Sequence, residues 1–520
     1  MKSRVIERDG IWEVWREKEI LQLELCLRRL EYVIVSAPLQ SGLSVFFRQC
    51  ILYLKSLPDY QQYVPLLINV SSWNDSLFVL LALEISQQLR PVKYVHRRLE
   101  KFRRLESQGL SFLFEEVLRG CSKNFIFFLD DFQNLSFSRQ KEFVSLIRQL
   151  HTYRDQYPYL KQMFFVLGGA ILWKNLDPER TSPFSNAASK IHLSDFSEDQ
   201  TVEFAKVYFQ KHGCSIHDIG ARYIYEKTGG HPYFCQNLFR IIWSKHPSEV
   251  QFRQIDRAVE EFIEEGDFHL KAIRQRILQA SPQDLRALGR ILLGEVVQLS
   301  LMAPQRFLEE LIVLGVLRLG PDRKVCLRNG IYELFLRKDP LLRRHFSQVC
   351  DVAPKDLLVG QFMLASNQFC YGIINQVENR LRNFVVSQLY SEYGEEWARR
   401  GLAGVYTEPE RWRGRTEREL GEVLVLRKRR EEEDNTLEDC DDPLICYATL
   451  KDLENIIVKN WRNIFKKIIG SQDQFKVYLT VLNRVRNKVA HNRPICDRDL
   501  ERLLNAVAHL DRWLGKISLL

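Results

Sequence analysis

The sequence predicts a multidomain protein in which an α/β region precedes an all-α region. Runs of β-branched and aromatic residues, typical of strands buried on both faces, occur at 32–35, 65–70, 124–131, 163–167 and 191–193. From about residue 355 onward, apolar residues recur instead at helical spacing. A chain of 520 residues is long enough for about two to four domains.

Composition favours a folded protein without membrane segments. Hydrophobic residues make up 45% and charged residues 27% of the chain, and the apolar run from Leu77 to Leu83 is too short to span a bilayer. The N-terminal residues are charged and lack a signal peptide's apolar core, so we expect a cytoplasmic location and no membrane partner. Eleven cysteines without a C-x-x-C pair argue against a zinc site or a disulfide framework. A net charge of +9 permits nucleic-acid binding without requiring it.

A degenerate phosphate-binding loop is predicted between the strand at 32–35 and a helix at 45–54. The motif G-x-x-x-x-G-K-[ST] aligns with Ala37, Gly42, Leu43 and Ser44, so Ala37 replaces a glycine and Leu43 replaces the lysine. Gly42 and the helix N-terminus suit a phosphate, and the Ser44 hydroxyl suits Mg²⁺. We therefore expect weak binding of ATP or ADP, and poor hydrolysis unless another cation such as Arg48 substitutes. A strand–turn–helix without any ligand fits the same residues.

Two carboxylates follow the predicted strand that ends near residue 130. Asp130 and Asp131 lie at its C-terminal tip, where open α/β sheets bind ligands. Asp130 is placed to hold Mg²⁺ together with Ser44, and Asp131 to polarise an attacking water.

Two further stretches are predicted to be helical. The segment from Trp12 to Leu30 reads as a helix that leads into the first buried strand. A helix at 76–89 is followed by a basic helix from Arg90 to Arg104, which fits either a nucleic-acid contact or, more simply, a solvated face.

The stretch Thr228 to Gln236 resembles the G-x-P element of STAND-type P-loop NTPases. Gly229 and Gly230 form a tight turn, and Pro232 suits the first position of a helix. The resemblance implies a helical lid in which Gly230, His231 and Pro232 approach a bound nucleotide; a turn-capping role for His231 is the alternative.

The segment from about 280 to 350 has the outline of a winged helix. A helix near 307–316 precedes two short strands at 317–319 and 324–327. The run from Leu327 to Phe335 resembles the end of this module in STAND proteins, which implies a regulatory arm rather than a DNA reader.

The C-terminal region carries a constellation suited to phosphate chemistry. An apolar helical stripe that ends at Val489 is interrupted by Arg486, with Asn487 next to it and His491 one turn later. The spacing resembles the R-x4-6-H motif of the HEPN superfamily. The resemblance implies Arg486, Asn487 and His491 as catalytic residues of a metal-independent endoribonuclease that uses the 2′-hydroxyl of RNA.

Helical geometry complicates this assignment. Five residues turn an ideal helix by about 140°, so Arg486 and His491 do not share a face, whereas Asn487 and His491 do. Either the helix end is distorted near Pro494, or a second copy completes the site in a homodimer, as in HEPN relatives. An inward direction of Arg486, toward a carboxylate such as Glu378, is a further option. An inert HEPN domain that only binds is the alternative to catalysis.

The complete prediction has four parts: an NTPase core at 10–200, a helical lid at 201–275, a winged-helix arm at 280–350 and an all-α HEPN domain at 355–520. The predicted function is an endoribonuclease regulated by nucleotide or by a trigger molecule or protein, in bacterial defence or stress response. The alternatives are a non-enzymatic nucleic-acid-binding regulator and a working ATPase with HEPN as a docking domain.

Overall fold

The chain folds into two compact units, Met1–Leu358 and Val359–Leu520, which are described separately. The computed structural model describes residues 5–8, 10–70, 124–170, 188–293, 295–299, 305–349, 361–406, 418–434, 444–491, 493, 495 and 497–514. The predicted helix at 76–89 and the basic helix at 90–104 lie outside the described residues.

A five-stranded parallel sheet forms the centre of the first unit. The elements of this part are β1 Val5–Arg8, β2 Ile11–Val14, α1 Glu17–Arg28, β3 Tyr32–Ser36, α2 Leu43–Ser56, β4 Tyr63–Asn69, β5 Asn124–Asp130, α3 Phe137–Thr152, β6 Met163–Gly169 and β7 Ala188–His192. The strands of the sheet lie in the order β4-β5-β6-β3-β7, so β3, the strand before the phosphate loop, has a neighbour on each side.

Both faces of this sheet are buried, which is why its strands lack polar alternation. Tyr32 and Ile34 face a core that includes the apolar side of α3. Val33 and Val35 face the opposite core, formed with α1 and α2. The parallel α/β fold predicted from these runs is therefore confirmed.

The helix predicted from Trp12 was wrong in its first turn. Residues 11–14 form β2, which pairs antiparallel with β1 across a turn at Gly10. Gly10 has a φ of +75°, a conformation that favours glycine, and Trp12 to Val14 are buried against the fold. The helix itself begins at Glu17.

The rest of the first unit is mostly helical and includes a small antiparallel sheet with strand order β10-β12-β11. Strands β11 and β12 have the predicted bounds. We call residues 305–338 the arm module. The elements are α4 Glu198–Lys211, β8 Ser215–Ile216, α5 Asp218–Thr228, α6 Pro232–Ser244, β9 Glu249–Val250, α7 Phe252–Glu264, α8 Phe268–Leu278, α9 Pro282–Leu292, β10 Val297–Gln298, α10 Arg306–Val313, β11 Leu317–Leu319, β12 Lys324–Leu327, α11 Gly330–Lys338 and α12 Pro340–Val349.

The second unit is helical throughout its described ranges. Its long first helix, Gln361–Tyr393, packs against the helices Leu450–Lys459, Gln472–Ala490 and Asp497–Leu514. A π-turn at Trp461–Phe465 interrupts the helical run between residues 450 and 469. The helices are α13 Gln361–Tyr393, α14 Trp397–Gly401, α15 Leu420–Asp434, α16 Leu450–Lys459, α17 Lys466–Ile469, α18 Gln472–Ala490 and α19 Asp497–Leu514. Among the residues described, no helix combines the length and apolarity needed to cross a membrane.

Candidate functional site

The degenerate loop joins β3 to α2 as the motif predicts. Gly42 is the N-cap of α2 and has a φ of +82°, so this position favours glycine. Ser44 lies in the first turn of α2, and its hydroxyl hydrogen-bonds with the carboxylate of Asp130 at the end of β5. The fold thus brings Ser44 and Asp130 together from residues 86 positions apart in the chain.

The carboxylate pair has two different environments. Burial raises the pKa of the Asp130 carboxyl, and the hydrogen bond with Ser44 opposes that shift. The carboxylate of Asp131 accepts hydrogen bonds from Asn69 at 2.8 Å and from Gln133 at 3.1 Å. Oxygen ligands are those that Mg²⁺ prefers, so the hydroxyl of Ser44 and the carboxylate of Asp130 fit a magnesium ion shared with a phosphate. No group of three or more histidine, cysteine or acidic residues that could hold a metal occurs in the described ranges.

Leu43, which occupies the lysine position of the motif, packs against the core. A Cβ atom built on Gly168 of β6 would lie 3.0 Å from Leu43 Cδ2, so the leucine packs against the sheet. The Arg48 side chain is exposed, and its charge acts on Asp130. The loop itself therefore presents no cation where a phosphate-loop lysine would stand.

Gln49 closes the space on the other side of the loop. This side chain is fully buried. Its Oε1 accepts the Arg16 backbone N–H at 3.1 Å, and its Nε2 donates to Val14 O at 3.1 Å and to Glu13 Oε2 at 3.3 Å.

One of the cavities beside the loop is small. It measures about 30 Å³ and is lined by Trp12, Arg16, Ser41, Gly42, Phe196 and Pro232, among others. One water needs roughly 10–15 Å³ of such space, so this cavity holds about two or three waters and leaves no room for a nucleotide base. A larger cleft of about 1150 Å³ lies between the loop and the arm module and is lined by Pro38, His192, Asp195 and Arg328, among others.

The predicted lid turn lies against the loop and the end of β7. Gly229 and Gly230 have φ values of +59° and +73°, and Pro232 begins α6 at its first position, as predicted. A Cβ on Gly230 would lie 2.0 Å from the backbone oxygen of Phe196, while Pro232 Cβ is 3.9 Å from the Cβ position of Gly42. The turn therefore contacts the loop directly.

His231 lies inside the protein rather than at an open surface. It is fully buried, and among the described residues neither ring nitrogen has a hydrogen-bond partner. Burial, followed by the nearby charges of Arg328 and His269, keeps the pKa of His231 well below its usual range. Its ring centroid is 4.5 Å from that of Phe234. In this arrangement His231 would contact a nucleotide only after the surrounding residues moved.

The arm module reaches the loop through Arg328, a residue that the sequence analysis did not single out. Arg328 forms a two-pronged ion pair with Asp195, Nε to Oδ2 at 2.7 Å and Nη2 to Oδ1 at 2.5 Å. The same Nη2 donates to Ser41 Oγ at 3.1 Å. The Leu39 N–H donates to Val313 O at 3.3 Å. Arm module and loop are thus joined by a buried guanidinium and a backbone hydrogen bond.

In the second unit, Arg486 points toward Glu378, the carboxylate named in the sequence analysis as an example of an inward partner. Arg486 Nε lies 3.1 Å from Glu378 Oε1; the arginine side chain is 43% exposed and the glutamate side chain 9%. Arg382 Nη2 donates to the other carboxylate oxygen at 3.3 Å. Glu378 is therefore a nearly buried carboxylate between two guanidinium groups.

Asn487 and His491 lie at the exposed end of α18. The helix ends at Ala490, and His491 is the C-cap, whose backbone N–H donates to Asn487 O at 3.3 Å. Both side chains are exposed. Of the three predicted catalytic residues, the structure places Asn487 and His491 on one exposed face and turns Arg486 toward the bundle.

Solved structures resemble the first unit in fold at low identity. A Walker-type ATPase of Pyrococcus abyssi matches with 20% identity and a TM-score of 0.46, covering 64% of this chain and 97% of its own. The Aeropyrum pernix ORC2 protein, in ADPNP and ADP complexes, matches with 11% identity and a TM-score of 0.44, covering 64% and 94%. The Thermotoga maritima RuvB Holliday junction branch migration motor matches with 15% identity and a TM-score of 0.32, covering 60% and 90%. Likenesses of this size carry no argument about function.

Family models match both units of the chain. A comparison with curated proteins gave no match. The Swt1-like HEPN model matches residues 373–517, which contain α18 and its exposed end. The AAA-like domain model matches residues 30–338, more than half of the chain, and contains the loop, the lid turn and the arm module. The chain belongs to the AAA-like domain family and carries a Swt1-like HEPN domain at residues 373–517.

Proposed function

We propose that this protein is a conditional, metal-independent endoribonuclease whose HEPN domain cleaves RNA under the control of its AAA-like unit. The observation that carries the proposal is the exposure of Asn487 and His491 side by side at the end of α18. Exposed side chains of this kind contribute little to the stability of the fold. An amide and an imidazole together are suited to binding a phosphate and transferring a proton. The match to a Swt1-like HEPN model supports the same function.

The reaction is a transfer within the RNA strand. The 2′-oxygen attacks the adjacent phosphorus, the bond from phosphorus to the 5′-oxygen breaks, and the products end in a 2′,3′-cyclic phosphate and a 5′-hydroxyl. One proton leaves the 2′-hydroxyl and one reaches the 5′-oxygen. His491 moves one of these protons, while Asn487 and Arg486 donate hydrogen bonds to the phosphate oxygens. The need for a 2′-hydroxyl makes RNA the substrate.

A homodimer completes the site in this proposal. Two proton transfers are needed, and one chain supplies one imidazole at the end of α18. A second copy of the HEPN domain would bring the second His491. Pairing of the two domains is then the step that control acts upon.

In this proposal the AAA-like unit controls the pairing of the HEPN domains. The arm module acts as a winged-helix arm of the STAND type. The contact of Arg328 with Ser41 and Asp195 supports this assignment, because the arm holds the loop closed. ATP or ADP would bind weakly and only after the arm and Gln49 had moved, and Mg²⁺ would then be held by Ser44 and Asp130. The activating signal is a trigger molecule or protein, and the setting implied by the resemblance is bacterial defence or stress response.

A non-enzymatic regulator is the second candidate, and the ion pair between Arg486 and Glu378 favours it. In that case Arg486 stabilises the bundle, and the HEPN domain binds nucleic acid without cleaving it. The two candidates differ in one property, which is RNA cleavage without metal.

The test is cleavage of single-stranded RNA by the full chain in EDTA. We expect cleavage by the wild type and a loss of about 10²–10⁴-fold in His491→Ala, the range of general acid–base catalysis. His246→Asn changes an exposed histidine of the first unit and serves as the control. Cleavage that survives in His491→Ala would remove the catalytic assignment, and RNA binding without cleavage would select the regulator.

A further inference from the structure

A third polar side chain shares the exposed face of Asn487 and His491. At 100° per residue, Arg484 lies about 60° from Asn487 and about 20° from His491 around the axis of α18, whereas Arg486 lies about 140° from His491. Arg484, Asn487 and His491 are all exposed. The face that carries the predicted catalytic amide and imidazole therefore carries the guanidinium of Arg484.

Carboxylates neutralise the other cations of this half of the helix. Arg486 pairs with Glu378 at 3.1 Å, and the ammonium group of Lys488 pairs with Asp499. Arg484 makes no hydrogen bond or ion pair with any residue in the described ranges. Its positive charge is thus available to a ligand.

The composition of α18 leaves this face open to an anion. Every residue of the helix is described, and its single acidic residue is Asp473, eleven positions before Arg484. Eleven residues span about 16 Å of helix, so that carboxylate is more than a Debye length away at ordinary salt. An arginine, an amide and an imidazole on one face without a carboxylate form a surface for a phosphate group.

We infer that Arg484 is a second phosphate-binding arginine of the HEPN site, on the face of Asn487 and His491, in addition to Arg486, which is paired with Glu378. The inference rests on the proposed function in one respect, which is that the ligand is the phosphodiester of RNA. The planar fork of a guanidinium donates two parallel hydrogen bonds to a phosphate. Arg484 can direct this fork outward, while the charge of Arg486 is paired with that of Glu378.

The experiment compares four full-chain variants with the wild type: Arg484→Ala, Arg484→Lys, Arg486→Ala and Arg462→Ala. Arg462 is an exposed arginine of the same domain on the π-turn and provides the matched control. Binding of a labelled single-stranded RNA is measured against salt concentration in EDTA. Cleavage kinetics and thermal unfolding are measured on the same proteins.

For Arg484→Ala we expect RNA affinity and kcat/KM to fall about ten- to hundredfold, the range of one charged hydrogen bond. The slope of log affinity against log salt should decrease by about one, with an unchanged unfolding midpoint. Arg484→Lys keeps the charge and should recover the salt slope but only part of kcat. Arg486→Ala should lower the unfolding midpoint, because Glu378 then retains one cationic partner.

Three results would overturn the inference. If Arg484→Ala matches Arg462→Ala in salt slope and kcat/KM while His491→Ala abolishes cleavage, the function stands and Arg484 is an ordinary surface residue. If the wild type binds RNA without cleaving it, the salt slope still decides the role of Arg484, and an unchanged slope rejects it. A wild type that neither binds nor cleaves RNA contradicts the inference and the proposed function together.

Discussion

The phosphate loop of the AAA-like unit and the end of α18 in the HEPN unit contain similar chemical groups in opposite environments. At the loop, Gln49 and Asp130 are buried, and Arg328 is bound to Asp195 and Ser41. At the end of α18, Asn487 and His491 are exposed. Groups that protein partners already satisfy hold a structure together, whereas exposed groups remain available for a ligand. Under the proposed function, the loop serves stability and control, and the helix end serves the chemistry.

The largest stability effect is expected at the ion pair that joins the arm module to the core. Asp195→Ala leaves the guanidinium of Arg328, whose side chain is 5% exposed, without its carboxylate. Removing one partner of a buried pair costs about 3–5 kcal/mol, to be measured by urea unfolding of the full chain. Asp199→Ala removes an exposed carboxylate of the first turn of α4 and should cost at most about 1 kcal/mol. Equal losses would show that the ion pair does not hold the arm.

A second large effect is expected at the lid turn. Gly230 and Gly213 both have positive φ, +73° and +75°, but a Cβ would lie 2.0 Å from Phe196 O at Gly230 and meets nothing within 4 Å at Gly213. Alanine at either position would have to adopt a similar positive φ. The difference in stability between the two variants therefore measures the packing around residue 230. Gly230→Ala should be less stable than Gly213→Ala by about 3 kcal/mol, the upper end of overpacking costs, in the same urea experiment. Similar stabilities would mean that the turn can move away from β7.

Stability should fall in mild acid because of a histidine beneath the arm. Burial lowers the pKa of His269 to about 4, and its Nε2 lies 2.7 Å from the hydroxyl of Tyr332. The unfolded chain binds this proton below about pH 6.5 and the folded chain only near pH 4. The contribution of neutral His269 is therefore complete above pH 6.5 and is lost as the pH falls, by about 2 kcal/mol at pH 5.

His269→Gln tests this pH dependence, with His246→Asn as the exposed control. Unfolding free energies at pH 7.5 and pH 5.0 should differ less in His269→Gln than in the wild type, by about 2 kcal/mol. The buried His231 contributes in the same direction, so some loss should remain in the variant. An unchanged pH dependence would contradict the buried, neutral state of His269.

The smallest stability effect is expected at the open site. Asn487→Ala and His491→Ala remove exposed side chains and should change the unfolding free energy by less than about 0.5 kcal/mol. The same variants should lose RNA cleavage. A loss of several kcal/mol of unfolding free energy in either variant would show that these residues stabilise the fold, as the buried residues at the loop do.

The sequence predicted those features that local physics determines. Strand β3, the loop to Gly42 and helix α2 follow from a β-branched run and a glycine with positive φ. Strands β11 and β12 follow from short apolar segments around a turn. The rotation of a helix predicted that Arg486 and His491 do not share a face, and Arg486 is indeed directed to Glu378.

The long-range pairs could not be read from local patterns. Arg328 and Asp195 are 133 residues apart, and either could have been a solvated surface charge. Gln49 reads as an ordinary polar residue of a helix until β2 folds beside it, and β2 was itself predicted as helix. The surroundings of the loop depend on these tertiary contacts, which local sequence patterns do not reveal.

The most direct test of the account is the chemistry of RNA cleavage by the wild-type full chain in EDTA. A single-stranded RNA is compared with the same strand carrying 2′-deoxynucleotides at the cleaved positions. The account predicts products with a 2′,3′-cyclic phosphate and a 5′-hydroxyl from the all-ribose strand, and no cleavage at the deoxy positions. Equal cleavage of both strands, or an intact all-ribose strand under every condition that activates the protein, would contradict it.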